Sequence, residues 1–432
     1  MYKLWKVLYN IILLPAICVF FSIYALVNSK VRKGFYGRRD LFNKLSRSLS
    51  VFNESKNGNI LIHCSSLGEY QQAIPLINEF SKLGFNVVVS FFSPSGYANS
   101  NISFNNCIKT YLPLDTIQSG ELFLDMINPA FIVFMRYDLW MNLMDSAKRR
   151  DIPMYIANAR FDKRDLTWTF PVLRSFKIEL YGLLTGIFTI DKKDEQEYKK
   201  VLSGKNTKVY LIGDSKYERV KQAGEGISGV PELSDVISGN KKIFVIGSSW
   251  KEDENVLFPV IDKLLQFEPD LMTFLVPHEP KEKKIDIILK KIHSDFNNIS
   301  PIRYSLIENF KNENLIIVDR IGLLMRLYSI AQVSYVGGGF KSGLHNILEP
   351  AIYNIPILFS NTVKNSDEDE ILMNAGCGFA VSGQKDVYRL LRKFLSDSDY
   401  RRKVGENCRK VFIGSEGIAE KIVQIINQRN VR

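Results

Sequence analysis

The 432-residue chain predicts an α/β protein: two doubly wound parallel-sheet domains facing a cleft, preceded by an N-terminal apolar helix. Three observations predict it. From residue 59 onward, strand-length apolar runs alternate with helix-like stretches, the pattern of parallel sheets covered by helices on both faces. Near the middle, Ala223-Gly224-Glu225-Gly226-Ile227-Ser228-Gly229-Val230-Pro231 is rich in Gly and Pro and reads as a connection between lobes. At the start, residues 11–27 are apolar except for Ser22 and the mildly polar Tyr24. The expected division is 1–30 as an anchor helix, 31–220 as the first domain and 221–432 as the second.

The apolar start is about the minimum length for crossing hydrocarbon and longer than a signal-peptide core, with no small-residue cleavage site after it. Lys3 and Lys6 precede it, whereas Lys30, Arg32, Lys33, Arg38 and Arg39 follow it. That excess predicts a single anchor with the body on the cytoplasmic side. Pro15 is compatible both with a spanning helix and with in-plane insertion. Strands are then expected at 59–64, 86–92, 109–112, 131–135, 154–157 and 187–190 in the first domain. In the second they are expected at 243–247, 271–276, 315–318, 333–336 and 357–359. Ligands of such sheets gather beyond the carboxyl ends of the strands.

Composition narrows the partners. Apolar residues make up 46% and charged residues 24%, ordinary values for a chain with a full core. A net charge of +11 draws anions: nucleic acid, anionic lipid or a phosphorylated substrate. The basic residues are dispersed and no zinc-knuckle or RNA-binding signature occurs, so no nucleic-acid partner is expected. Cys18, Cys64, Cys107, Cys377 and Cys408 are odd in number and scattered, which fits free thiols in a reducing compartment. None of the four histidines has paired-ligand spacing, and no metal site or cofactor is expected.

Two loops carry candidate chemistry. Gly337-Gly338-Gly339-Phe340-Lys341-Ser342-Gly343-Leu344-His345-Asn346-Ile347-Leu348-Glu349-Pro350 follows an apolar strand and is expected to run into the start of a helix. Amides of Gly337, Gly338 and Gly339 and the helix dipole would hold a phosphate there, with His345, Asn346 and Glu349 on one turn. A P-loop would need Gly-Lys-Ser/Thr where Gly343-Leu344-His345 stands. The structural alternative is a glycine turn ending a buried strand. The second loop is His63-Cys64-Ser65-Ser66-Leu67-Gly68-Glu69, where Ser65 or Ser66 caps a helix with Glu69 near its third position. Glu69 is then either a capping carboxylate or a general base. Ser93-Pro94-Ser95-Gly96 reads as a similar strand-to-helix turn.

Taken with further motifs in order, these residues resemble the 3-deoxy-D-manno-octulosonic acid (Kdo) transferases of lipopolysaccharide synthesis. The resemblance runs from the anchor and its basic flank through Ser66-Leu67-Gly68-Glu69, Ser93-Pro94-Ser95-Gly96, Leu112-Pro113-Leu114-Asp115 and Asp138-Leu139-Trp140-Met141-Asn142. It continues through Asn158-Ala159-Arg160, Gly213-Asp214-Ser215-Lys216 and Gly247-Ser248-Ser249 to His345-Asn346-Ile347-Leu348-Glu349-Pro350. It implies a GT-B glycosyltransferase, inverting and metal-independent, moving Kdo from CMP-Kdo to the lipid A precursor (lipid IVA). It further implies Glu69 as general base and Asp138 and Lys216 as stabilisers of the transition state. CMP would be held by Pro277, His278, Ile321, Gly322, Leu323, His345, Asn346, Ile347, Leu348 and Glu349. Three places depart from the family pattern. Arg136-Tyr137-Asp138 stands where Glu-Thr-Glu is common, Pro277-His278-Glu279-Pro280 replaces Pro-Arg-His-Pro, and Gly322-Leu323-Leu324 replaces Gly-Glu-Leu. Another nucleotide-sugar donor, such as a UDP-sugar, and a non-catalytic membrane-tethered homologue are the competing readings.

Overall fold

The computed structural model describes residues 1–432 except 53, 54, 56, 103–105, 163, 164, 228, 235, 238, 341, 342, 361, 363–367, 431 and 432. Two compact units result: Met1–Arg219 with Ser415–Arg432, and Val220–Gly414.

The first unit holds a seven-stranded parallel sheet of β1 (Asn59–Cys64), β2 (Asn86–Phe91), β3 (Cys107–Tyr111), β4 (Pro129–Met135), β5 (Met154–Ala159), β6 (Gly186–Thr189) and β7 (Lys208–Leu211), ordered β3-β2-β1-β4-β5-β6-β7. Its inner strands are Val- and Ile-rich and buried on both faces, as helices on either side require. The second unit repeats the plan with β8 (Lys242–Ser249), β9 (Leu271–Pro277), β10 (Pro301–Arg303), β11 (Leu315–Ile317), β12 (Val333–Val336), β13 (Ile357–Ser360) and β14 (Gly378–Val381), ordered β10-β11-β9-β8-β12-β13-β14. Two doubly wound α/β units are therefore present, as the sequence predicts. The three strands that the sequence does not reveal, β7, β10 and β14, all lie at sheet edges.

One boundary differs from the expected division. Residues 415–432, assigned by sequence to the second domain, belong to the first unit. The reason is the apolar stripe of helix Ile418–Asn430. Ile418, Ile422, Val423 and Ile426 are buried in the core built by Ile60, Leu76 and Phe80, and the Ala419 amide donates to the Glu218 carboxylate at 2.9 Å.

The N-terminal segment, a helix over Tyr2–Val27, is long and apolar enough to cross a membrane. It widens into a π-helical stretch over Tyr9–Leu13, which ends two residues before Pro15. Proline has no amide to give residue 11 and its ring crowds that carbonyl, so the preceding turn loosens. The first turns are tied to the body: Lys6 pairs with Asp145 at 2.5 Å, the Tyr9 hydroxyl donates to Asp115 at 2.8 Å, and Asn10 bonds Asn142. Beyond Val27 the chain turns at Asn28, which caps helix Ser29–Gly37 by accepting from the Lys30 and Val31 amides. Arg38 then donates to the carbonyls of Phe92 and Leu112, tying the far end to the same unit. Val19, Phe20, Ile23, Leu26 and Val27 remain exposed between the two ties.

Ile422→Ala is expected to lower the unfolding free energy by about 2–5 kcal/mol, because a fully buried side chain leaves a cavity. Denaturant titration checks the size. Hydrogen exchange should show the loss in helix Leu67–Lys82 and leave β8 and β12 protected; the reverse would contradict the placement of the C-terminal helix.

Candidate active site

In the first sheet β1 lies between β2 and β4, so the chain leaves it in opposite directions on its two sides. Such a switch point opens a crevice beyond the carboxyl ends of the strands. The loops after β1 and β4 supply its side chains. Ser66 caps helix Leu67–Lys82, accepting from the Glu69 amide at 3.4 Å. The Glu69 carboxylate reaches back one residue further, to the Ser65 amide (2.5 Å) and hydroxyl (2.8 Å). Glu69 thus performs the capping role, and the two bonds fix its carboxylate in one orientation. Burial pushes its pKa up, against the opposing pull of the Ser65 bonds and of His63. A carboxylate that holds a proton more firmly than usual is a better base.

Asp138 comes from the loop after β4 and lies within electrostatic reach of Glu69. It contacts Nε2 of the fully buried His63 at 2.9 Å, while Nδ1 meets the Ser90 hydroxyl at 2.9 Å. A carboxylate only accepts, so the ring proton sits on Nε2 when His63 is neutral, and Ser90 donates to Nδ1. His63 is the residue that sequence reading passed over. Its signal was its place at the end of β1, adjoining the Ser65–Glu69 turn.

Lys216 arrives from another direction. It is the second residue of helix Ser215–Gly224, and its amide donates to Asp214 at 2.8 Å. The Asn158 amide group donates to Ser215 (2.7 Å) and Gln72 (3.3 Å), and the Ser215 hydroxyl donates to the Gln72 carbonyl at 2.7 Å. Arg136 also donates to Gln72, at 3.1 Å. Gln72 lies one turn after Glu69, so this network links the Lys216 turn and the Arg136 loop to the helix carrying the carboxylate. Arg136 and Asn158 have φ of 65° and 56°, a left-handed backbone that concentrates at functional turns.

The second unit has its own switch point, where β8 lies between β9 and β12. Three rings gather there. His278 and His345 stack with centroids 4.3 Å apart, and Trp250 stacks on His278 at 4.8 Å. Trp250 Nε1–H donates to His345 Nε2 at 3.0 Å, which places the His345 proton on Nδ1. Burial, then the neighbouring His278, lowers the His345 pKa to about 4. Beneath them the fully buried Asp253 accepts from the Tyr335 hydroxyl (2.8 Å), the Trp250 amide (2.9 Å) and the Gly338 amide (3.0 Å). Neither Trp250 nor Asp253 was singled out from sequence, although both follow Gly247-Ser248-Ser249 directly.

The phosphate-loop expectation needs correction. The Gly337 amide donates to the Gly247 carbonyl at 2.8 Å and the Gly338 amide to Asp253, so both are spent inside the protein. These glycines answer to packing: a Cβ on Gly337 would lie 2.5 Å from the Ser248 carbonyl, one on Gly338 2.3 Å from that of Gly343, and one on Gly339 2.5 Å from that of Ser360. Nor does a helix start at His345. Residues 343–346 have no regular structure, and the helix is the four-residue Leu348–Ala351, so Glu349 alone of the three polar residues is helical. Lys341 and Ser342 lie outside the described residues. Asn346 donates to Glu349 at 3.0 Å, while Ile347 and Leu348 are core side chains. Pro277 ends β9, and the His278 amide donates to Ser249 at 3.0 Å. Ile321 is 90% exposed on the loop after β11, beside Gly322 in a left-handed conformation and Leu323 at the start of helix Leu324–Tyr328.

Residues 34–219 match the family described as 3-Deoxy-D-manno-octulosonic-acid transferase (kdotransferase). A 3-deoxy-D-manno-octulosonic acid transferase of Haemophilus influenzae is 25% identical over 449 aligned residues, covering 99% of this chain and all of that one. The chain is thus similar to Kdo transferases over nearly its whole length. These Kdo transferase relatives are glycosyltransferases. A bifunctional glycosyltransferase/methyltransferase of Fusobacterium nucleatum subsp. nucleatum is 26% identical over 344 residues, 77% of this chain; the chain spans about half, 52%, of that longer relative. The UDP-GlcNAc 2-epimerase of Neisseria meningitidis superposes with a TM-score of 0.58 at 14% identity, over 85% of this chain and all of that one, a likeness of GT-B-type fold alone.

The His345 ring should titrate near pH 4, measured by imidazole NMR. Its folded pKa is below the ordinary value of about 6.5, so the stabilisation from its neutral form is complete above that pH and disappears as pH falls through about 4. A midpoint at or above the ordinary value would contradict the ring stack.

Proposed function

We propose that this Kdo transferase homologue moves Kdo from CMP-Kdo to a lipid A precursor (lipid IVA), with inversion and without a metal ion. Glu69 acts as general base, taking the proton of the acceptor hydroxyl as that oxygen attacks the anomeric carbon of Kdo and the bond to CMP breaks. The observation that carries the reading is the Glu69 carboxylate, fixed by Ser65 and made more basic by burial, at the switch point of the first sheet. Asp138, oriented by His63, and Lys216 steady the charge that develops. In the second unit the ring group of Trp250, His278 and His345 faces the donor's cytidylate, with Glu349 accepting from ribose hydroxyls and the loop of Ile321, Gly322 and Leu323 at its side. Because Gly337 and Gly338 use their amides internally, phosphate charge falls to side chains and to the remaining backbone donors.

The body works on the cytoplasmic face of the inner membrane, with the N-terminal helix lying in the interface. Support comes from the ties at both ends of its apolar stretch: Lys6, Tyr9 and Asn10 on one side and Arg38 on the other hold to one unit. A helix spanning the bilayer would part its ends by the hydrocarbon thickness of about 30 Å and break one set. In-plane insertion keeps both and buries the exposed row from Val19 to Val27.

Glu69→Gln should lower kcat about 10²- to 10⁴-fold with little change in thermal stability, measured with CMP-Kdo and the tetraacyl acceptor and mass spectrometry of the lipid product. The wild-type kcat/KM should fall on the acid side with a midpoint above the ordinary carboxylate value of about 4.3, because Glu69 must be ionised to act. EDTA should leave the rate unchanged. Full activity of the Gln variant would remove the base assignment, and product from a UDP-sugar in place of CMP-Kdo would replace the donor.

A further inference from the structure

The first unit contains a cavity of about 190 Å³ between the N-terminal helix, helix Ser29–Gly37 and the loops after β2 and β4. Leu14, Ile17, Phe21, Phe35, Phe92 and Trp140 form most of its wall. Two of the charged groups in that wall, Arg38 and Asp115, are already engaged. Arg38 donates to the carbonyls of Gly34, Phe92 and Leu112, and Asp115 accepts from the Tyr9 hydroxyl and the amides of Asn142 and Leu143. Most of what remains is apolar surface, in a space larger than the roughly 150 Å³ cavity that accepts benzene in an engineered protein.

Two features select the occupant. The helix that supplies Leu14, Ile17 and Phe21 also bears the exposed row of Val19, Phe20, Ile23, Leu26 and Val27, and Lys30 in the wall begins the exposed cationic run Lys30, Arg32 and Lys33. Apolar depth with a cationic rim suits a lipid whose head carries phosphate. The cavity also shares its walls with the candidate catalytic loops. Ser93 lines it and donates its amide to the carbonyl of Ser65, the residue that holds Glu69. Trp140, two residues after Asp138, stacks on Phe92 at 5.0 Å and leaves its buried Nε1–H without an acceptor, a need that the carbonyl of an acyl linkage would meet.

We propose that this cavity receives one acyl chain of the phosphorylated glycolipid acceptor and thereby sets the sugar hydroxyl at the depth of Glu69. The inference rests on the acceptor assigned above. It makes acylation of the acceptor part of recognition, independent of anchoring in the bilayer.

Cys18 provides a test in the native chain, since it lines the cavity and is half-buried whereas the other four cysteines are buried. The full-length protein in phosphatidylethanolamine/phosphatidylglycerol nanodiscs is treated with N-ethylmaleimide, without donor, and Cys18 alkylation is followed by mass spectrometry. The tetraacyl, diphosphorylated glucosamine disaccharide should slow alkylation about tenfold or more at saturation, and its deacylated form should not. Equal protection by both forms, no protection by the acylated form, or full protection by the nanodisc phospholipid alone would overturn the proposal. Ile17→Trp, which fills the cavity, should raise KM for the acylated acceptor about tenfold, equivalent to about two methylenes lost from burial, and leave kcat/KM for the deacylated form within about twofold. An equal effect on both acceptors would overturn it too, and if this variant misfolds the Cys18 readout decides alone. Because alkylation is read without turnover, protection without Kdo transfer would refute the assigned reaction and leave the cavity standing, while transfer without protection would do the reverse.

Discussion

Burial of both faces of two parallel sheets is the constraint from which the rest of this structure follows. Inner strands such as β1, β2 and β4 are almost wholly inaccessible, so they cannot present polar groups along their length. Reactive side chains are therefore confined to the loops beyond the strand ends, and each sheet has one place where those loops part. Glu69 and Asp138 occupy that place in the first unit; Trp250, His278 and His345 occupy it in the second. The few polar side chains admitted beneath, His63 and Asp253, are fully inaccessible and hydrogen-bonded, as low-dielectric surroundings demand.

The same constraint explains what was legible in the sequence. Inner strands announce themselves as unbroken apolar runs, and every one of them was found. Edge strands bury less and carry no such mark: β7 has exposed or half-exposed residues throughout, β10 is three residues starting with proline, and β14 starts with glycine. The destination of helix Ile418–Asn430 was equally hidden. Its stripe of Ile and Val predicts a buried face but does not say which core receives it, since that choice depends on contacts with residues some 340 positions away.

Site residues divided along a similar line. The capping role of Glu69 was readable because a serine cap followed by an acid at the third position is a local pattern, and the bonds to Ser65 also fix the orientation of the carboxylate proposed as base. His63 and Trp250 were not readable because their significance lies in partners distant along the chain, Asp138 and His345. The triple glycine misled for a physical reason. A missing Cβ is required equally by a ligand at close range and by backbone at close range, and here carbonyls of Ser248, Gly343 and Ser360 occupy the space.

The path of the chain carries a consequence for its birth. It leaves the first unit after Arg219, completes the whole of the second, and returns at Ser415 with the helix that covers Ile60, Leu76 and Phe80. During synthesis from the N-terminus, the later-numbered unit has all its strands available before the earlier one can seal its interior. An uncovered apolar face and a greasy leading helix thus coexist on the nascent polypeptide for the time needed to translate nearly two hundred residues, an interval in which early contact with lipid would shield one of them.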